Sequence, residues 1–174
     1  MTMKAATKYL LDANVLMEAK RRYYRFGLCP GFWDCLVWNH EQGSMASIDR
    51  VKKEIEDGKD DLTQWIKKQC PSTFFMPTTD TKVASWFGAM VAWAQKQLQY
   101  LPEALAEFST EPDGWLIAYA KEHSYTLVTH EVSAKESRRK VKIPDVCKAF
   151  DVLFVDSFDM LEQLNTSFTW MPGK

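Results

Sequence analysis

A chain of 174 residues, 46% of them hydrophobic, can bury a core without disulfides or a structural metal, which excludes the small stapled scaffolds and predicts one domain over 1–174 with a short flexible tail. A charged fraction of 26% and a formal net charge of -1 exclude both a disordered chain and a uniformly basic nucleic-acid coat, so any contact with nucleic acid must be local. Cys29, Cys35, Cys70 and Cys147 lack the close pairing of a zinc site, the opening MTMKAATKYLLDA reaches an acid before any useful apolar stretch, and no run approaches membrane-spanning length, which predicts free, mostly buried thiols, a cytoplasmic address and no membrane partner.

The segment TKYLLDANVLMEAKRRYY reads as strand, turn and helix, with helix formers over 15–20. The Pro30-Gly31 pair opens a second helix over 32–40, which Gly43 closes. MASI at 45–48 suits a buried strand, and DRVKKEIEDG is helical until Gly58 supplies a stop. Residues 60–68 form another helix, ended at Cys70-Pro71, and TFFMP is a strand. Over 83–98 the apolar positions Val83, Trp86, Phe87, Met90, Val91, Ala94 and Leu98 keep helical spacing, with their aromatics directed to the core. Helical pieces over 101–108 and 112–122 precede the strand YTLVT, a charged stretch AKESRRKVK, the helix IPDVCKAF, the strand VLFVD and the helix SFDMLEQL. Short strands that are apolar on both faces and alternate with helices predict a three-layer α/β/α fold with a mostly parallel central sheet.

Of four candidate acids, two lie just past strand ends and two on or at helices that can abut the same edge of a parallel sheet. Asp12 follows the apolar run KYLL at the carboxyl end of a strand, or else it caps the next helix, as Asn14 could. Glu54 flanks the apolar stripe of Ile48, Val51 and Ile55, or is a solvated acid among Lys52, Lys53, Glu56 and Asp57. Asp113 opens the helix DGWLIAYA, or completes a capping box that begins at Thr110. Glu131 lies just past YTLVT, two residues after Thr129, or is an ordinary loop acid. Gathered at one sheet edge, such carboxylates would repel one another unless a hard cation such as Mg²⁺ or Mn²⁺ offset the charge.

The order Asp12, Glu54, Asp113, Glu131 resembles the PIN superfamily of metal-dependent nucleases across nearly the whole chain. LLDANVL is similar to its first motif, with Asn14 as polar support for Asp12. SIDRVKKEI resembles the second, DGWLIAYA the third, and LVTHE the fourth, in which Thr129 would orient the site and Glu131 stands where aspartate is more usual. The string DANVLMEAKRRYY, then PGFWD, LVTHE and IPDVCKAF, resembles a little-characterised prokaryotic branch of PIN-like proteins. The resemblance implies a PIN-like fold and a ribonuclease that hydrolyses phosphodiester bonds with one or two Mg²⁺ or Mn²⁺ ions held by the four acids. It also implies a toxin of a toxin–antitoxin pair, with RNA as substrate, an antitoxin as partner and a homodimer as a further possibility.

A weakly acidic protein that holds a polyanion needs local cations, and the candidates are Lys135, Arg138, Arg139, Lys140 and Lys142, with Lys20, Arg21 and Arg22. Their alternative role is a solvated surface. Tyr23, Tyr24 or His130 are candidates to stack on unpaired bases. Two other functions compete with the nuclease: a PIN-like RNA- or protein-binding module without turnover, and an aspartyl-phosphate phosphatase or receiver. The haloacid-dehalogenase-type phosphatase wants a second aspartate where this chain has Asn14.

Overall fold

The computed structural model describes residues 7–170 and 172, so the opening hexapeptide and most of the expected tail lie outside the described residues. Three strands, β1 (Tyr9–Leu11), β2 (Met45–Ile48) and β4 (Thr126–Val128), are buried at every position, which requires cover on both faces of the sheet. With β3 (Phe75–Met76) and β5 (Phe154–Val155) they form a five-stranded sheet in the order β3-β2-β1-β4-β5. Every pairing is parallel, with Tyr9 opposite Met45 and Leu11 opposite Val128. The helices flank this sheet, giving the three-layer α/β fold that the sequence predicts. The edge strand β5 departs from expectation: both its residues are only half-buried, because no strand lies beyond it.

The strand order reverses between β1 and β4. From β1 the chain moves outward to β2 and β3, and then returns to β4 and β5 on the other side. Crossovers that leave in opposite directions open a crevice at the carboxyl ends of the two central strands. Asp12 follows β1 and Thr129 follows β4, so both stand at that crevice.

Several helices differ from their predicted bounds for local reasons. α1 (Ala13–Glu18) starts earlier than residue 15 and runs into a π-helical turn, Ala19–Tyr23. The Tyr24 amide reaches back five residues to the Ala19 carbonyl, 2.8 Å away, and widens the turn. α2 (Pro30–Glu41) is followed, after Gln42, by Gly43, whose φ of 74° is the left-handed conformation glycine adopts without strain. α3 (Asp49–Asp57) is not stopped by a left-handed glycine, because Gly58 keeps a φ of -71° and Lys59 takes the left-handed φ of 50°. α4 (Asp61–Lys68) is capped by Asp60, which accepts from the amides of Leu62 and Thr63.

α5 (Thr81–Gln95) begins where Asp80 accepts from the Lys82 amide, and it ends before Leu98, which is fully exposed instead of joining the apolar face. Trp86 and Phe87 are half-buried on this helix. α6 (Pro102–Thr110) and α7 (Pro112–His123) are separated by Glu111 alone, at φ -75° and ψ 160°. Pro112 pushes the preceding residue out of the helical region, and one extended residue suffices to break the helix. α8 (Ile143–Ala149) and α9 (Ser157–Gln163) complete the chain order. All four cysteines are free, but only Cys147 is buried, so the expectation of mostly buried thiols holds for one of them. Among the described residues no helix is long and apolar enough to cross a membrane.

α7 packs against α5 through Gly114, directly after Asp113. A Cβ at Gly114 would stand 2.8 Å from a ring carbon of Phe87 and 3.2 Å from one of Phe108. Phe87 is stacked on Trp115 with centroids 4.3 Å apart, so its ring has little room to yield. Gly114→Ala is therefore expected to cost about 1–3 kcal/mol of stability by overpacking. Urea unfolding measures it, and an unchanged midpoint would show that the two rings give way freely.

Candidate active site

Asp12 is the pivot of the crevice. Its amide donates to the Val128 carbonyl at 3.0 Å, tying the end of β1 to β4. It occupies the cap position of α1, yet its side chain makes no capping hydrogen bond. Instead Oδ2 accepts from the Thr129 hydroxyl at 3.0 Å, in a wholly buried contact. The same Thr129 oxygen accepts from the Glu131 amide at 3.1 Å, so this threonine sets both the Asp12 carboxylate and the turn that carries Glu131. Burial pushes the Asp12 carboxyl up to about 7, and Asp113, Glu131 and Glu54 push in the same direction against the Thr129 hydrogen bond. Asp113 is the strongest of these charged neighbours, so residues about a hundred positions apart in sequence share one electrostatic site.

The other three acids arrive from separate elements. Glu54 is half-buried on α3, and its carboxyl is raised by burial, then by Asp113 and Glu111. Asp113 lies in the first turn of α7, raised to about 6 by burial, with Lys140 opposing and Glu131, Glu111 and Glu107 adding to the rise. The expected capping box does not form, because Thr110 ends α6 and its hydroxyl donates back to the carbonyls of Ala106 and Glu107. Glu131 is nearly enclosed, with its Oε2 accepting from the Ile143 amide at 2.9 Å. Its Oε1 lies 2.7 Å from the Lys140 ammonium and 3.7 Å from that of Lys142.

Lys140 thus occupies the gap between two of the acids. Its ammonium also stands 3.7 Å from Asp113 Oδ2. Burial works against that charge, but the hydrogen bond to Glu131 and the field of Asp113 outweigh it and hold the ammonium well above its ordinary range. The donors around it are all oxygens, and Asp12 and Asp113 are both raised by burial first and by neighbouring acids second, a setting that suits a hard divalent cation. As the side chains stand, no group of three or more His, Cys, Asp or Glu among the described residues is arranged to hold a metal ion. Lys140 instead stands between the oxygens of Glu131 and Asp113 that face it.

Residues 9–168 match a family model described as a domain of unknown function, DUF4411. The chain belongs to the DUF4411 family. Among solved structures it is similar to FitAcB from Neisseria gonorrhoeae, at 19% identity and a TM-score of 0.53, over 84% of this chain and 95% of that one. That likeness is one of fold. No curated protein matches the sequence.

Other predicted site residues of this DUF4411 chain are distributed less tightly. Asn14 is exposed on the first turn of α1, and the support expected from it comes from Thr129 instead. Lys20 is spent on Asp60, with which it forms a short ion pair, and on Asp61 at 2.9 Å, so it fastens the π-helical turn to α4. Arg22 pairs with Glu18 at 3.3 Å while staying largely in solvent, and Arg21 is exposed beside it. Lys135, Arg138 and Arg139 are exposed on a loop docked through its backbone, where the Lys135 carbonyl accepts from Gln99 at 2.8 Å and that of Arg138 from the Leu101 amide at 2.9 Å. Lys140 and Lys142, candidates for holding a polyanion, instead pair with Glu131 in the acidic site itself. Sequence reasoning missed Glu107 and Glu111, which add negative potential at Asp113. Glu111 carried a usable signal, since it directly precedes Pro112 at the opening of the helix that presents Asp113.

Proposed function

We propose that this protein is a divalent-metal-dependent endoribonuclease, acting as the toxin of a toxin–antitoxin pair. The observation that carries this reading is the buried Asp12 carboxylate at the β1–β4 crossover point, raised to about 7 and facing Asp113, Glu131 and Glu54. A single acid there could be a cap. Four mutually repelling acids at a ligand-binding edge are costly, and their persistence favours a cation-binding purpose. The resemblance of the four acid-bearing segments to the PIN motifs, together with the PIN-like fold, supports hydrolysis of RNA.

In this reading Asp12 and Asp113 are the primary metal ligands, with Glu54 and Glu131 completing the set for one or two Mg²⁺ or Mn²⁺ ions. When bound, the cation supplies an activated water and neutralises charge developing on the phosphodiester. The chain's own groups do the positioning. Thr129 holds the Asp12 carboxylate in register, and the α8 amide holds Glu131. Lys140, once displaced from its two acids, is placed to meet an incoming phosphate, with Arg138 and Arg139 following on the same loop. Cleavage is expected in Mg²⁺ or Mn²⁺ and not in EDTA, and it should be lost in Asp12→Asn and in Asp113→Asn. Undiminished cleavage by both variants in Mg²⁺ would sink the assignment.

A second reading, an RNA- or protein-binding module without turnover, draws support from the Lys140 contacts, which leave Glu131 and Asp113 already neutralised. The same assay separates the two. An aspartyl-phosphate role is disfavoured, because an incoming phosphoryl group would meet three further acids around a carboxylate only 2% exposed.

A further inference from the structure

Tyr23, Phe158 and His130 converge from three distant parts of the chain. Tyr23 ends the π-helical turn after α1, Phe158 lies in the first turn of α9, and His130 stands between Thr129 and Glu131. The Tyr23 and Phe158 rings meet edge to face at 5.2 Å, and His130 lies 6.0 Å from the first and 5.6 Å from the second. A purely structural cluster would bury these rings, yet Tyr23 is 45% exposed and Phe158 41% exposed. The neighbouring Tyr24 shows the contrast: it is stacked on Phe32 at 4.3 Å and 9°, and its face is spent. His130 is locked to the Ser157 hydroxyl at 3.0 Å, which fixes its ring beside the other two.

We propose that Tyr23, His130 and Phe158 form a stacking platform for an unpaired nucleobase of the RNA strand whose phosphate enters the acidic site. This rests on the nuclease reading and adds to it the substrate class, single-stranded RNA. Four features favour a base over a protein segment. The platform is continuous with the site, since His130 stands between Thr129, which sets Asp12, and Glu131 itself. Arg21 and Arg22 directly precede Tyr23 in the chain and are exposed, which suits a backbone phosphate beside a stacked base. Three rings match the footprint of one or two bases, far below the area of a stable protein interface. The π-helical turn that projects Tyr23 is an irregularity found most often at functional sites, and a regular helix would have placed this ring elsewhere. A hollow of about 380 Å³ opens beside His130, with Thr129, Glu131, Asp156 and Asp159 also on its wall, so of the four site acids it reaches Glu131.

The test is binding in EDTA, where no turnover intervenes, of a short fluorescein-labelled single-stranded RNA and of the same strand in a duplex, read by anisotropy. The wild-type protein is expected to prefer the single strand. Tyr23→Leu, apolar but not planar, should weaken single-strand binding by about tenfold and leave duplex binding unchanged, Phe158→Leu should do likewise, and Tyr23→Trp should retain affinity. Thermal melts establish that each variant is folded. Equal single-strand affinity in wild type and Tyr23→Leu overturns the platform and leaves the patch to a protein partner. Equal binding of single and double strands by wild type overturns it as well. Wild-type cleavage in Mg²⁺, scored separately, tells these failures apart from failure of the nuclease reading, which would show as no cleavage of any RNA.

Discussion

Asp12→Asn is expected to lose RNA cleavage by several orders of magnitude and, in the absence of metal, to melt higher than the wild type at alkaline pH. The first effect follows from removing the charge at the centre of the site. The second follows from linkage. Burial and three neighbouring acids raise the Asp12 carboxyl from its ordinary 3.8 to about 7 in the folded protein. Between those values the folded state holds a proton that the unfolded state releases, so stability falls as pH rises through the window, and the loss is complete above the folded value. Asp113, raised to about 6, adds a smaller loss of the same sign. The wild-type protein in EDTA should therefore melt higher at about pH 5 than at about pH 8, and Mg²⁺ should restore stability at the higher pH. Asparagine keeps the shape and cannot ionise, so the variant gains a few kcal/mol there, or roughly 5–10 °C in Tm for a chain of this size. Scanning calorimetry at the two pH values decides it, and a variant that melts lower than wild type at the higher pH would show that the buried charge is already compensated.

Lys140→Met is expected to reverse that pattern. The ammonium sits 2.7 Å from Glu131 and 3.7 Å from Asp113, and no other lysine or arginine among the described residues forms an ion pair with Asp113. Its removal leaves Asp113 without an ion-pair partner among the described residues and Glu131 with Lys142 alone, at 3.7 Å. Breaking a buried pair costs several kcal/mol, but Lys140 is 35% exposed, so the discounted cost is about 1–2 kcal/mol in EDTA. The freed oxygens then become available to a cation. Mn²⁺ should bind the variant several-fold more tightly than wild type, and Mg²⁺ should raise its Tm by a larger increment. Calorimetric titration with Mn²⁺ measures the first and thermal melts the second. Identical affinities and identical increments would mean that the ammonium does not compete for these carboxylates.

These two residues show how differently the site was written into the sequence. Asp12 was legible because its neighbourhood is local: an apolar run that can only be a buried strand, followed at once by an acid and a helix. The same reasoning placed Asp113 at a helix start and Glu131 beyond a strand. Lys140 was visible only as one member of a basic run, since nothing in AKESRRKVK distinguishes the lysine that turns inward from those that stay in solvent. Asn14 and Thr129 make the same point from the other side. Both were candidates to support Asp12, and only the β1–β4 pairing decides that the residue 117 positions away makes the bond while the one two positions away faces solvent.

From the order of residues alone came the element types, the parallel α/β architecture and the set of acids with their strand and helix settings, because periodicity, proline and glycine act over a few residues through the backbone. Tertiary structure alone decided the strand order that creates the crevice, the raised carboxyls of Asp12 and Asp113, the inward turn of Lys140, the added field of Glu107 and Glu111, and the meeting of Tyr23, His130 and Phe158. Each of these depends on distances between side chains far apart in the chain, and Coulomb and stacking energies fall off over a few ångströms that no local pattern encodes.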